Sequence, residues 1–304
     1  MLYRPLIVYD SGVGGLTVAR RLMKYCPGHD LIYLADNGWF PYGNKDEGLL
    51  ARRVNELLSI LEDHFEPRAI VVACNTASTA IADRLNHHNP VPIYGVIPPI
   101  MRAISVSAGG RVVLLATPAT LERRIVKDLI ATHNQGQISA IGSLDLVYMA
   151  EQKMANRQLI DGKRLVGVLE VLMPASVRDE VTTVILGCTH FPLLRPELSE
   201  AFTNVRFWLD PAAEVAAAVR RDLSPLARKQ RSPSYSLLLT SRHNAVELAR
   251  VFAAQGFSQV VQLESMLPLE GQEADYDLTE SIFEGGSLLF DRHDFLGGYV
   301  SRHD

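Results

Sequence analysis

The regular alternation of short apolar runs with longer amphipathic ones restricts the fold of this chain more than any other feature. The strand-like runs are Leu6–Tyr9, Leu31–Ala35, Ala69–Ala73, Pro92–Val96, Arg111–Ala116, Thr183–Gly187, Val205–Leu209, Tyr235–Thr240 and Gln259–Leu263. Helix-period patterns fill most intervals: Leu16–Tyr25, Lys45–Phe65, Ala77–Asn86, Thr120–His133, Lys163–Leu172, Ala212–Leu223 and His243–Gln255. Strands and helices that take turns in this way build parallel sheets. Helices then cover both sheet faces, so the strands are continuously apolar. The expected fold class is α/β, with mostly parallel sheets flanked by helices.

At 304 residues the chain is long for one core, so two domains are expected. Pro98 and Pro99 stop a helix from running straight out of the strand that ends near Gly95, which marks one seam. Asp210 before Pro211 is a good N-cap and N1 pair for a new helix and marks a second. Residues 1–97 plus 210–267 then form the first domain and 98–209 an inserted second. Residues 268–304 form a C-terminal extension. It opens acidic, with Glu270, Glu273, Asp275, Asp277, Glu280 and Glu284, a pattern that by itself reads as a solvated tail. It then turns apolar, with Phe283, Leu288, Leu289, Phe290, Phe295, Leu296 and Tyr299. It is expected to pack on the surface or at an interface, with Phe290 and Phe295 as anchors.

The composition is 47% apolar and 21% charged, as in an ordinary soluble globular protein. A formal charge of -4 gives no electrostatic reason to hold nucleic acid or an anionic membrane. No apolar run is long enough to span a bilayer, and Arg4 and Asp10 interrupt the short apolar stretch that a signal peptide would need. Cys26, Cys74 and Cys188 form neither a disulfide framework nor a metal knuckle. A reducing cytoplasm is the expected compartment.

Chemistry concentrates at three strand ends. The first strand runs into Asp10-Ser11-Gly12-Val13-Gly14-Gly15-Leu16, whose glycines let backbone approach a ligand closely. Asp36 lies at a tempting distance for a dinucleotide site, but Thr17 replaces the third glycine of that fingerprint. Asp10 would also repel a pyrophosphate, and a carboxylate there suits an ammonium group better. Capping of the next helix by Asp10 and Ser11 is the plainer alternative. A later strand ends at Cys74-Asn75-Thr76, and another at Gly187-Cys188-Thr189-His190. Ligands of open α/β sheets sit at such carboxyl ends. A following helix N-terminus offers amides to a substrate carboxylate or a thiolate.

Cys26 reads as a small buried hydrophobe, the usual fate of a lone cysteine. The matched settings of Cys74 and Cys188, one in each expected domain, suit two thiols that work on opposite faces of one carbon. A Cys188–His190 hydrolase is the weaker reading, since residues two apart in an extended segment point in opposite directions. His190 can instead orient a neighbouring thiol from another backbone geometry, or simply close the turn. A non-catalytic ligand-binding or dinucleotide-binding protein is the rival from another class.

In their order and spacing the motifs resemble those of glutamate racemases, within the aspartate/glutamate racemase superfamily. They are Asp10–Leu16, Pro41-Tyr42-Gly43, Cys74-Asn75-Thr76, Gly95-Val96-Ile97-Pro98, Ala116-Thr117 and Gly187-Cys188-Thr189-His190. The resemblance implies two pseudo-symmetric α/β domains with the site between them, and Cys74 and Cys188 as an acid/base pair without cofactor or metal. Cys74 would deprotonate D-glutamate and Cys188 the L-enantiomer, and the D-glutamate would supply peptidoglycan. Asp10 and His190 match residues that assist the cysteines, and Glu151 aligns with a glutamate near the second one. Ser11, Asn75, Thr76 and Thr189 match positions that hold the amino acid's polar groups, and Pro41, Tyr42 and Gly43 a loop that contacts substrate. Leu121-Glu122-Arg123-Arg124 stands where the family often has a serine, which leaves Thr117 and Thr120 as the side-chain candidates. Trp39 and Phe40 replace smaller residues and either reshape the entrance or pack. The expected partner is glutamate and the expected assembly a homodimer. An aspartate or broad-specificity racemase is the alternative within the superfamily.

Overall fold

The computed structural model describes residues 4–85, 89–133, 136–156, 160–223 and 232–263. The C-terminal extension, 268–304, lies outside the described residues. The strands are β1 (Leu6–Asp10), β2 (Leu31–Ala35), β3 (Ala69–Val72), β4 (Ile93–Gly95), β5 (Arg111–Ala116), β6 (Ile138–Gly142), β7 (Val181–Gly187), β8 (Phe207–Leu209), β9 (Tyr235–Leu239) and β10 (Gln259–Gln262). The helices of the first half are α1 (Leu16–Tyr25), α2 (Glu47–Phe65), α3 (Asn75–Ala80), α4 (Ile100–Ser107), α5 (Pro118–Glu122) and α6 (Arg124–His133). Those of the second half are α7 (Asp145–Asn156), α8 (Gly162–Leu172), α9 (Ala175–Arg178), α10 (Arg195–Ala201), α11 (Ala212–Asp222) and α12 (Ala245–Ala253).

The strands form two parallel sheets, ordered β10-β9-β2-β1-β3-β4 and β6-β5-β7-β8. The segments β2-β1-β3-β4 and β6-β5-β7-β8 share one pattern. In each, the first strand in sequence is central, the second flanks it on one side, and the third on the other. The chain therefore reverses direction across the sheet between β1 and β3, and again between β5 and β7. Such switch points open a crevice at the carboxyl ends of the strands. Register brings Tyr9 opposite Val72 in the first sheet and Ala116 opposite Gly187 in the second. Asp10 and Cys74 thus emerge at one crevice, and Thr117 and Cys188 at the other.

Three apolar clusters hold this arrangement. One packs residues of both sheets, among them Val8, Val71, Val113, Leu115 and Val184, with helical Leu16, Leu146, Leu165 and Val219. The others cover the outer faces, Ile7, Ile70 and Leu238 beneath α2 in one and Val112, Leu114 and Ile185 in the other. Helix α2 shows the local logic. Leu50, Val54, Leu57, Leu58 and Leu61 recur on one face and are buried. The Asp46 side chain caps the Leu49 amide at 3.0 Å, and Glu66, at φ 42°, ends the helix.

Several expected elements change. The helix read over Ala77–Asn86 ends at Ala80 and gives way to a 3-10 turn at Ala82–Arg84. The helix read over Thr120–His133 is two helices, because Arg123 is extended at ψ 134°. The strand over Val205–Leu209 is shortened to β8. β6, α4, α7, α9 and α10 had no counterpart in the expected pattern. Asp210 Oδ1 accepts from the Ala212 amide at 2.9 Å, but the N-cap position of α11 falls one residue later than expected, on Pro211.

Candidate active site

At the first crevice, β1 delivers Asp10 and β3 delivers Cys74. Asp10 is fully buried. Its Oδ1 accepts from the Gly12 amide at 2.9 Å, and its Oδ2 from Thr189 Oγ1 at 3.0 Å. Asp10 does not cap α1, whose N-cap is Gly15. Burial pushes its carboxyl up from 3.8 to about 6, against the imidazole of His190 and these hydrogen bonds. Ser11 is buried in the same turn. Cys74 occupies the N-cap position of α3. Burial first, and the charge of Asp10 second, push its thiol well up, while the Ala77 and Thr76 amides pull the other way. The surroundings of Cys74 thus favour its thiol form.

At the second crevice the loop after β7 carries Cys188, Thr189 and His190, all buried. The segment is not extended. His190 is helical at φ -74°, ψ -31°, and the Phe191 amide turns back to the Cys188 carbonyl at 3.1 Å. The turn brings His190 Nδ1 to 3.7 Å from Cys188 Sγ, a contact that the extended reading excluded. His190 Nε2 lies 2.7 Å from Glu151 Oε1. The same Glu151 oxygen accepts from the Val13 amide at 2.9 Å. Burial alone would lower the His190 pKa, but the Cys188 sulfur and the Glu151 carboxylate outweigh it and hold the imidazole well above its ordinary range. Cys188 and His190, both buried, and the half-buried Glu151 thus form a chain of contacts from the sulfur toward the first unit.

Between the crevices three hydroxyls converge. Thr76 Oγ1, Thr117 Oγ1 and Thr120 Oγ1 lie 2.9 Å from one another. Asn75 donates to the Val96 carbonyl at 3.1 Å, and its Oδ1 is buried with no hydrogen-bond partner among the described residues. Pro41 and Gly43 flank Tyr42 on the loop beside this cluster, and a Cβ on Gly43 would fall 2.7 Å from Thr117. The Tyr42 side chain faces elsewhere. Its hydroxyl pairs with the Tyr9 hydroxyl and donates to the Asp36 carboxylate in the core, so only its backbone is left to face the cleft. Phe40 packs on Tyr148 and His190, at ring separations of 5.8 and 5.9 Å. Trp39 lies over the guanidinium of Arg53 at 5.5 Å.

Sequence reasoning set Asp36 aside with the failed dinucleotide fingerprint. In the fold it is a buried hub that binds Tyr42, Arg53 and Thr240. Arg53 and Thr240 carried no local signal, since both meet Asp36 only through tertiary structure. Among the described residues no three His, Cys, Asp or Glu side chains are grouped so as to hold a metal ion.

The model of the Asp/Glu/hydantoin racemase family matches residues 15–219. A glutamate racemase of Shewanella sp. strain MR-4 is 37% identical over 228 residues, which is 75% of this chain and 82% of that one. The glutamate racemase of Pasteurella multocida is 32% identical over 265 residues, 86% of this chain and 97% of that one. Among solved structures, Escherichia coli glutamate racemase in complex with L-glutamate and the activator UDP-MurNAc-ala superposes with a TM-score of 0.74. It is 33% identical, with 85% of this chain and 98% of that chain covered.

Proposed function

This chain belongs to the Asp/Glu/hydantoin racemase family, and from that premise we propose how its site works. It is an isomerase that interconverts L- and D-glutamate. Cys74 removes the Cα proton of D-glutamate and Cys188 that of L-glutamate. In each direction one sulfur starts as thiolate and ends as thiol, and the other starts as thiol and ends as thiolate. One C–H bond breaks, another forms on the opposite face, and the configuration inverts without net redox change. The observation that carries the reading is the placement of Cys74 and Cys188 at equivalent switch points of two sheets with one strand pattern.

The remaining groups fall into roles by their chemistry. Asp10 and Ser11 receive the ammonium, Asp10 exchanging its Thr189 hydrogen bond for it. Amides at the start of α3, with Asn75, Thr76 and Thr189, hold the α-carboxylate. Thr117 and Thr120, with the backbone of Pro41–Gly43, face the side-chain carboxylate. His190 and Glu151 hold and move the proton at Cys188. Fixed dipoles in a water-poor cleft stabilise the charge that develops at Cα.

The same reading divides the chain into 1–97 plus 210–267 and an inserted 98–209, supported by the two sheets. It makes the protein a cytoplasmic homodimer that supplies D-glutamate for peptidoglycan. No helix among the described residues is long and apolar enough to cross a membrane.

The test is incubation with each enantiomer of glutamate and of aspartate in D₂O, followed by NMR at Cα. Deuterium should enter the product glutamate, and Cys74→Ala and Cys188→Ala should each abolish inversion while circular dichroism stays unchanged. Inversion by folded Cys188→Ala enzyme removes the two-base mechanism. Aspartate turned over as well as glutamate removes the glutamate preference.

A further inference from the structure

Tyr42 stands in the loop read above as facing substrate, yet its side chain is turned into the core and only 1% exposed. The hydroxyl donates to Asp36 Oδ2 and pairs with the Tyr9 hydroxyl. Asp36, fully buried at the end of β2, takes a two-point contact from Arg53, with Nε on Oδ2 at 3.1 Å and Nη2 on Oδ1 at 2.9 Å. Thr240, after β9, is the third residue to donate to the carboxylate, on Oδ1. One phenol is thus gripped by groups from β1, the end of β2, α2 and the end of β9, although α2 and β9 carry none of the proposed substrate-contacting residues.

The grip has a consequence one residue later. Gly43 lies so close to the second unit that a Cβ would sit 2.7 Å from Thr117 and 2.8 Å from Leu144. Thr117 belongs to the hydroxyl cluster with Thr76 and Thr120. Gly43 packs on the Cβ and Cγ2 of Thr117, so the position of the Tyr42 ring fixes how the Gly43 backbone seats beside those hydroxyls. On the reading above, the end of the substrate side chain lies next to this contact. A buried phenol with one fixed acceptor has little freedom to drift, because leaving Asp36 would strand a buried polar group.

We infer that Tyr42 is a positioning residue for substrate-length selection: anchored on Asp36, it fixes the distance between the Gly43 backbone and the Thr76–Thr117–Thr120 hydroxyls. This rests on the glutamate-racemase reading above and adds to it the device that separates a five-carbon from a four-carbon dicarboxylic amino acid. Such a difference of one methylene is ordinarily hard for a pocket to read, and a loop tied rigidly to the core makes it readable.

The experiment compares full-length wild type, Tyr42→Phe and Thr240→Val in D₂O, with L-glutamate and L-aspartate as substrates. Tyr42→Phe keeps the ring and removes the donor. It should raise KM for glutamate about tenfold and narrow the glutamate-to-aspartate ratio of kcat/KM, with kcat changed less. Thr240→Val removes one donor from the far side of Asp36 and should shift both quantities the same way by a smaller factor. If Tyr42→Phe does not fold, the Thr240→Val shift alone decides. A lowered melting temperature with KM and the substrate ratio unchanged overturns the inference, because it leaves Tyr42 a structural role only. Wild type that fails to exchange Cα hydrogen on glutamate overturns the parent reading, whereas active wild type with indistinguishable variants overturns the inference alone.

Discussion

Thr189 Oγ1 donates to Asp10 Oδ2 at 3.0 Å, although the two residues stand 179 positions apart. The loop that carries Cys188 therefore rests directly on the strand end that carries Asp10. Glu151 makes a second connection of the same sense, from α7 to the Val13 amide. Each half of the site is completed by the other, and the buried Asp10 carboxylate has an internal partner in Thr189.

Asp10 is held at a cost that can be measured. Its pKa rises from 3.8 to about 6, so the fold favours the protonated form. The associated stability is fully present below about pH 4 and is lost as pH rises through about 6. Over that span the ionised side chain costs about 3 kcal/mol. Asp10→Asn removes the charge in nearly the same shape. It should melt above wild type at pH 8, converge with it near pH 4, and lose racemisation. Scanning calorimetry at both pH values checks this, and an equal melting temperature at pH 8 contradicts it.

Glu151→Gln keeps a hydrogen-bond acceptor for His190 and removes the charge. Since that carboxylate helps to hold His190 above its ordinary range, the imidazolium should deprotonate at lower pH. The alkaline limb of the pH–rate profile should move toward neutrality. Proton removal through Cys188 should also become slower relative to other steps. The primary isotope effect should then rise with L-glutamate deuterated at Cα and change little with the D-enantiomer. The equilibrium between enantiomers fixes the ratio of the two kcat/KM values, so the isotope effects carry the directional information. An unchanged profile and equal isotope effects exclude the relay.

Much of this was legible in the sequence. The central strands β1, β3, β5 and β7 are buried through most of their length and read as continuous apolar runs, and the residues proposed for the chemistry lie at or just after their ends. β6 was missed because it is an edge strand, where Ser139, Ala140 and Gly142 weaken the apolar signal and only Ile138 and Ile141 are buried. The break at Arg123 depends on one extended residue inside an otherwise helical pattern. The His190–Cys188 contact needs a turn where the run-out of a strand suggested extension, so it was legible only as the alternative geometry left open for His190. The Asp36 hub could not be read at all. Its partners lie as far as 204 positions away and have no shared local pattern.

Gly14 and Gly167 offer a matched pair of substitutions with opposite outcomes. Neither has a backbone that demands glycine, since neither has positive φ. A Cβ on Gly14 would lie 2.5 Å from Thr189 Oγ1 and 2.6 Å from His190 Nδ1, whereas one on Gly167, within α8, meets nothing within 4 Å. Gly14→Ala must therefore push the Thr189 and His190 side chains of the second unit away from the β1–α1 turn. Displacements of this size at reacting groups cost about a hundredfold in rate, and kcat should fall by about that factor with circular dichroism unchanged. Gly167→Ala should leave turnover intact and add up to about 1 kcal/mol of stability through helix propensity. Parallel steady-state kinetics and thermal melts check both. Gly14→Ala enzyme with full turnover would show that Thr189 and His190 need not touch that turn, and would remove the mutual completion of the two half-sites.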